Sequence, residues 1–105
     1  MTTATVVVRP EDSCVRIAIN GEIDLENAGA IEEQLSAAIP NAARCVVLEL
    51  EALDYLDSAG LRVLFSLAAR LEVLQILLRV HVPPGSPARR VLQLSGFEGV
   101  ATIEG

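Results

Sequence analysis

The stretch Cys45-Val-Val-Leu-Glu-Leu-Glu-Ala-Leu-Asp-Tyr-Leu-Asp-Ser-Ala-Gly-Leu-Arg-Val-Leu-Phe-Ser-Leu-Ala-Ala-Arg-Leu71 decides the fold. Its first six residues are densely apolar, as in a strand inside a sheet. A polar segment, 54–60, follows. From near Ser58 the apolar residues change period. Leu61, Leu64, Phe65, Ala68 and Leu71 line one stripe of a helix. Asp57 or Ser58 is placed to cap that helix, and Gly60 lets backbone approach closely.

Read toward the N-terminus, residues 25–38 carry a second helical pattern, with Ala28, Ile31 and Leu35 on one stripe. Asp24 or Asn27 can cap it, and Pro40-Asn41 stops it. Before it lies a strand over 14–20, with Val15, Ile17 and Ile19 on one face and Arg16, Ala18 and Asn20 on the other. Gly21 ends that strand. Residues 4–9 form another strand, and the turn Pro10-Glu-Asp-Ser13 is too short for a parallel crossover, so the two make a hairpin.

Read toward the C-terminus, Leu74–Val82 is a strand whose start no glycine or proline marks. Pro83-Pro84-Gly85 is a loop. Ser86 and Pro87 open a short helix with Val91 and Leu92 or Leu94 on its apolar side, and Gly96 closes it. Residues 100–103 form a last strand. The expected order is β-β-α-β-α-β-α-β, a small α/β domain spanning 1–105 with a mixed, mostly parallel sheet.

Composition narrows the function. Of 105 residues, 51% are apolar, yet there are only two Phe, one Tyr and no Trp, so the core is aliphatic. A formal charge of -6, from 14 acidic and 8 basic residues, disfavours nucleic acid and anionic membrane surfaces. The apolar runs are too short to span a membrane. Met-Thr-Thr-Ala-Thr is not a signal peptide, so a cytoplasmic location is expected. Cys14 and Cys45 lie in apolar runs and read as two small buried thiols; a disulfide between them is possible, but nothing in the sequence supports it. His81, the only histidine, lies in an apolar strand and reads as structural. The chain has no glycine-rich phosphate loop, no metal-ligand spacing and no nucleophile–base–orienter set. No enzyme, cofactor or metal site is expected.

The polar residues that remain gather where strands end: Glu22 and Asp24 after the second, and 54–60 after the third. In a parallel sheet such loops share an edge that commonly binds partners. A phosphate on Ser58 would meet free N–H groups and the positive end of a helix, while adding about -1.5 to -2 charges beside Asp24 and Asp57.

Three motifs in order resemble the STAS domain family, in particular its stand-alone bacterial anti-sigma factor antagonists. They are Gly21-Glu-Ile-Asp24, Leu53-Asp-Tyr-Leu-Asp-Ser-Ala-Gly-Leu61 with Arg-Val-Leu64, and Arg90-Val-Leu-Gln-Leu-Ser-Gly-Phe97. The resemblance runs from about residue 4 to 103. It implies that Ser58 accepts phosphate from a partner that is both serine kinase and anti-sigma factor. The unphosphorylated form would bind that partner and free the sigma factor, and a serine phosphatase would restore it. It further implies that Glu22, Asp24, Asp57, Ala59, Gly60, Leu61 and Arg62 contact the partner. The chain departs from the family at Ala59, often a second Ser or Thr, at Arg62, commonly small, at Glu72-Val-Leu-Gln75, where small glycines are common, and in the Pro83-Pro84-Gly85 loop. Two other functions fit a fold of this kind: a STAS scaffold in a lipid-transport or sensory assembly, and a small-ligand module. A kinase acting on Ser58 would separate the first from the antagonist reading. A nucleotide-binding screen would test the second.

Overall fold

The computed structural model describes residues 2–105. The one-domain expectation over 1–105 includes Met1, which lies outside them. The elements are β1 (Ala4–Glu11), β2 (Cys14–Ile23), α1 (Ala28–Ala38), β3 (Cys45–Glu49), β4 (Leu53–Leu56), α2 (Ser58–Val73), β5 (Leu77–His81), α3 (Pro87–Leu94) and β6 (Thr102–Glu104), with a 3-10 turn at Phe97–Gly99. The sheet runs β1-β2-β3-β5-β6, with β4 paired to β2 beyond β3. Among the described residues only the β1–β2 hairpin is antiparallel, and every other pairing is parallel. The small α/β fold and its mostly parallel sheet match the expectation from sequence.

Period-2 patterning places Val15, Ile17, Ile19, Val46, Leu48, Leu78 and Val80 on the face that meets the helices, and all are at most 5% exposed. The helices supply Ile31, Leu35, Leu64, Leu71 and Leu92 to the same cluster. The opposite sheet face is polar. There Arg16 bridges Glu11 and Glu49, and Arg79 and His81 both bond Glu104.

Four local expectations change. First, β4 is a strand, not loop. Leu53 and Leu56 are buried while Asp54 and Tyr55 are exposed, and this short run pairs with an extension of β2 through Ile23. Gly21 therefore does not end β2. It takes a positive φ of 105° at a register shift, where the strand's parallel partner changes from β3 to β4. A Cβ there would lie 2.5 Å from the Thr3 carbonyl oxygen, so only glycine fits.

Second, the buried stripe of α2 is Gly60, Val63, Leu64, Leu67, Ala68 and Leu71, while Leu61 and Phe65 are half-buried. The packing of α2 against α1 as well as the sheet rotates the stripe. Phe65 meets the buried Phe97 edge-on at 5.0 Å. On α3, Ala88 and Leu92 are buried and Leu94 is exposed.

Third, α2 ends without glycine. The N–H of Ile76 donates to the Leu71 carbonyl and that of Gln75 to Glu72, with Gln75 at φ 60°. This is a Schellman closure with a non-glycine left-handed residue. The next strand consequently starts at Leu77, later than the apolar run suggests.

Fourth, Cys14 and Cys45 are not separate thiols. They are directly opposed on parallel β2 and β3, with Cα atoms 4.6 Å apart, and form a disulfide. Both are half-buried on the polar face. The pairing depends on register between strands separated by α1, which residue spacing does not reveal.

Candidate functional site

Two strand ends build the site. Ile23 and Leu56 are neighbours in the β2–β4 register, and the Asp57 N–H donates to the Ile23 carbonyl at 3.2 Å. Asp24 and Asp57 thus leave the sheet side by side. The sequence-level grouping of these two loops on one edge is what the topology produces.

Asp57 is the N-cap of α2. Its Oδ1 accepts from the N–H groups of Ala59 at 2.9 Å and Gly60 at 3.0 Å. Of the two cap candidates, Asp57 holds the position and Ser58 is the first helical residue. Ser58 is exposed in the first turn of the helix. The expectation of free N–H groups awaiting a phosphate is corrected. The Asp57 carboxylate already occupies two of them, because a capping aspartate fits the start of a helix.

Gly60 is buried under this turn. A Cβ would fall 2.6 Å from Leu56 Cδ1 and 2.9 Å from Ile23 Cγ2. The glycine lets the first turn of α2 settle onto the two strands that carry the aspartates. Ala59 and Leu61 are half-buried, whereas Glu22 and Arg62 are exposed.

Asp24 anchors the other loop. It accepts from the Thr2 hydroxyl and, at 2.8 Å, from the Glu26 N–H. Asn27 Oδ1 accepts from the Asp24 N–H, while its Nδ2 donates to the Glu22 carbonyl. Of the two cap candidates for α1, Asn27 holds the N-cap position, but its side chain organises the Asp24 loop instead of bonding the helix N–H groups. The Thr2 hydroxyl and then the backbone N–H contacts hold Asp24 below the usual carboxylate range, against partial desolvation.

Between the starts of α1 and α2 lies an open cleft of about 210 Å³, lined by Leu25, Gly29, Glu32, Ala59, Arg62 and Val63 among others. Leu25 is 81% exposed. The sequence reading missed Leu25 because it began the helix there. An apolar residue directly after a loop aspartate and off the helical stripe was the available signal.

Away from this edge, Glu49, Glu51 and His81 bring one ligand-type atom each within 4.8 Å of one another. Glu49 is bonded to Arg16 and faces Arg9, and His81 is bonded to Glu104. This grouping arises across β3 and β5 and was not visible from spacing. No helix among the described residues is long and apolar enough to cross a membrane.

The family profile described as the MlaB-type STAS domain matches residues 6–103. BtrV of Bordetella bronchiseptica is 35% identical over 97 residues, which span 88% of this chain and 78% of BtrV. The anti-sigma-F factor antagonist RsfB of Mycobacterium tuberculosis is 31% identical over 94 residues, which span 90% of this chain and 75% of RsfB. The anti-sigma factor antagonist SpoIIAA in its unphosphorylated form shares the fold at TM-score 0.77 and 22% identity, over 96% of this chain and 89% of that one. Its phosphorylated form, from Bacillus, matches at TM-score 0.71. With its glycine-aspartate loop, its Asp-Ser helix start and these relatives, the chain belongs to the STAS domain family.

Proposed function

We propose that this chain is an anti-sigma factor antagonist switched by phosphorylation at Ser58. The observation that carries the reading is the placement of Ser58: exposed at the start of a 16-residue helix, directly after the capping Asp57, on the edge that also presents Asp24. A kinase can reach that hydroxyl without unfolding anything. The names and phosphorylated state of relatives supply the partner class.

In this reading the unphosphorylated edge binds an anti-sigma factor with serine kinase activity. Glu22, Asp24, Asp57, Ala59, Leu61 and Arg62 form or flank the contact, and Gly60 supports it from below. The Ser58 oxygen attacks the terminal phosphorus of a nucleoside triphosphate bound by the kinase. An O–P bond forms, the bond to the diphosphate oxygen breaks, and the hydroxyl proton passes to a base on the kinase. The product adds about -1.5 to -2 charges beside Asp57. Because Asp57 already neutralises the helix start, the new charge is repelled locally and the partner contact weakens. A serine phosphatase restores the hydroxyl by hydrolysis. The chain is then a kinase substrate and binding partner, not an enzyme, and works in the cytoplasm where sigma factors act.

A pull-down with unphosphorylated protein, read by mass spectrometry, tests this. Recovery of a kinase-type anti-sigma factor, retained by Ser58→Ala and lost on phosphorylation, is expected. Phosphate incorporation undiminished in Ser58→Ala would overturn it. The MlaB-type profile match favours a second reading, a STAS subunit in a non-sigma assembly. Stable recovery of a transport complex, with no kinase, would select it.

A further inference from the structure

We propose that Arg62 is the intramolecular partner of phosphorylated Ser58, so that phosphorylation withdraws a cation from the partner-facing surface as well as adding an anion. The inference rests on the assignment of Ser58 as phosphoacceptor. Ser58 and Arg62 are four residues apart on α2. Residues at that spacing face each other, with Cβ atoms about 5–6 Å apart. Helical side chains also lean toward the N-terminus, so the Arg62 stem points back over the first turn. Arg62 is exposed and, among the described residues, lies within 4 Å of no carboxylate, while Arg16 and Arg79, for example, are held by glutamates. Its guanidinium is therefore available. The only other basic residue of α2 is Arg70, two turns further on.

The Asp57 cap leaves the helix start with little to offer a phosphate. Its Ala59 and Gly60 N–H groups are held by Asp57, so a phosphate on Ser58 meets an anion on one side. Arg62 is the compensating charge on the other. A guanidinium matches phosphate oxygens with paired N–H donors. In the unphosphorylated chain Arg62 instead borders the cleft with Leu25 and Glu32, where it can meet an acidic group of the partner. The swap ties surface charge to phosphorylation state within one helical turn.

The experiment uses full-length chain carrying phosphoserine installed at position 58 by co-translational incorporation. Phosphorus NMR follows its second ionisation, ordinarily near pH 6. Pairing with Arg62 lowers that midpoint, and Arg62→Gln should raise it by about 0.15–0.4 pH units, as expected for an exposed helical ion pair. Arg62→Lys should restore much of the depression. The difference should shrink at high salt. Identical midpoints in wild type and Arg62→Gln, both with unchanged thermal unfolding, would overturn the pairing and leave Ser58 as acceptor. Failure of the partner kinase to modify Ser58 would overturn the underlying assignment, and the regulatory role of Arg62 with it.

Discussion

The Asp57 N–H donates to the carbonyl of Ile23 at 3.2 Å, tying the start of α2 to the end of β2. That bond continues the β2–β4 pairing and sets Asp24 beside Asp57, although they are 33 positions apart in the chain. The turn that carries Ser58 is thus braced by strand backbone below and by the Asp57 cap within. On the function proposed above, a turn held this way would confine the effect of a phosphate on Ser58 to the surface.

The cap should be measurable. Asp57→Ala removes the acceptor for the Ala59 and Gly60 N–H groups. A loss of about 1 kcal/mol is expected in urea unfolding. Asp57→Asn should recover most of it, since asparagine caps equally well.

Gly60 should tolerate no side chain. Gly60→Ala places a Cβ against Leu56 and Ile23, both buried. Overpacking of this kind costs about 1–3 kcal/mol. Calorimetry should show a lowered melting temperature, and the raised first turn should slow Ser58 phosphorylation.

Reduction should destabilise the fold without erasing the site. The Cys14–Cys45 bond closes a 31-residue separation, worth about 3–4 kcal/mol in the chain-entropy account. It joins the starts of β2 and β3, whereas Ser58 follows the far end of β4. Unfolding with and without reductant should therefore differ, while partner affinity below the melting transition stays the same. On the cytoplasmic reading proposed above, thiols are kept reduced and the reduced form is the one that acts.

The Asp24 loop predicts a pH dependence. Its carboxyl is held low in the folded state, chiefly by Thr2. A carboxylate depressed on folding contributes stability that is complete above its unfolded value, near pH 4, and is lost as pH falls through the folded one. Thr2→Ala should raise the Asp24 midpoint in NMR titration and soften that acid dependence. An unchanged midpoint would remove Thr2 from the account.

Much of this was legible in sequence because period and punctuation agreed. Val15, Ile17 and Ile19 alternate, Ser86-Pro87 opens α3, and Gly96 takes the left-handed position that its place after the helix suggests. The failures have a common physical source. Gln75 accepts a positive φ that residue type does not advertise, so the end of α2 was hidden. β4 is too short for a period to show, and its pairing partner is distant. The disulfide and the bond between Asp57 and Ile23 depend on strand register, which only the assembled sheet defines. The site residues were visible as types in two loops. Which of Asp57 and Ser58 caps the helix was not, and that choice decides which side chain remains exposed.

The central claim is most directly tested by calorimetric titration of the anti-sigma partner with the full-length chain bearing either serine or phosphoserine at position 58. The phosphorylated chain should bind at least ~10-fold more weakly, as expected for like charge brought into an acidic contact. Equal affinity of the two forms would contradict the account.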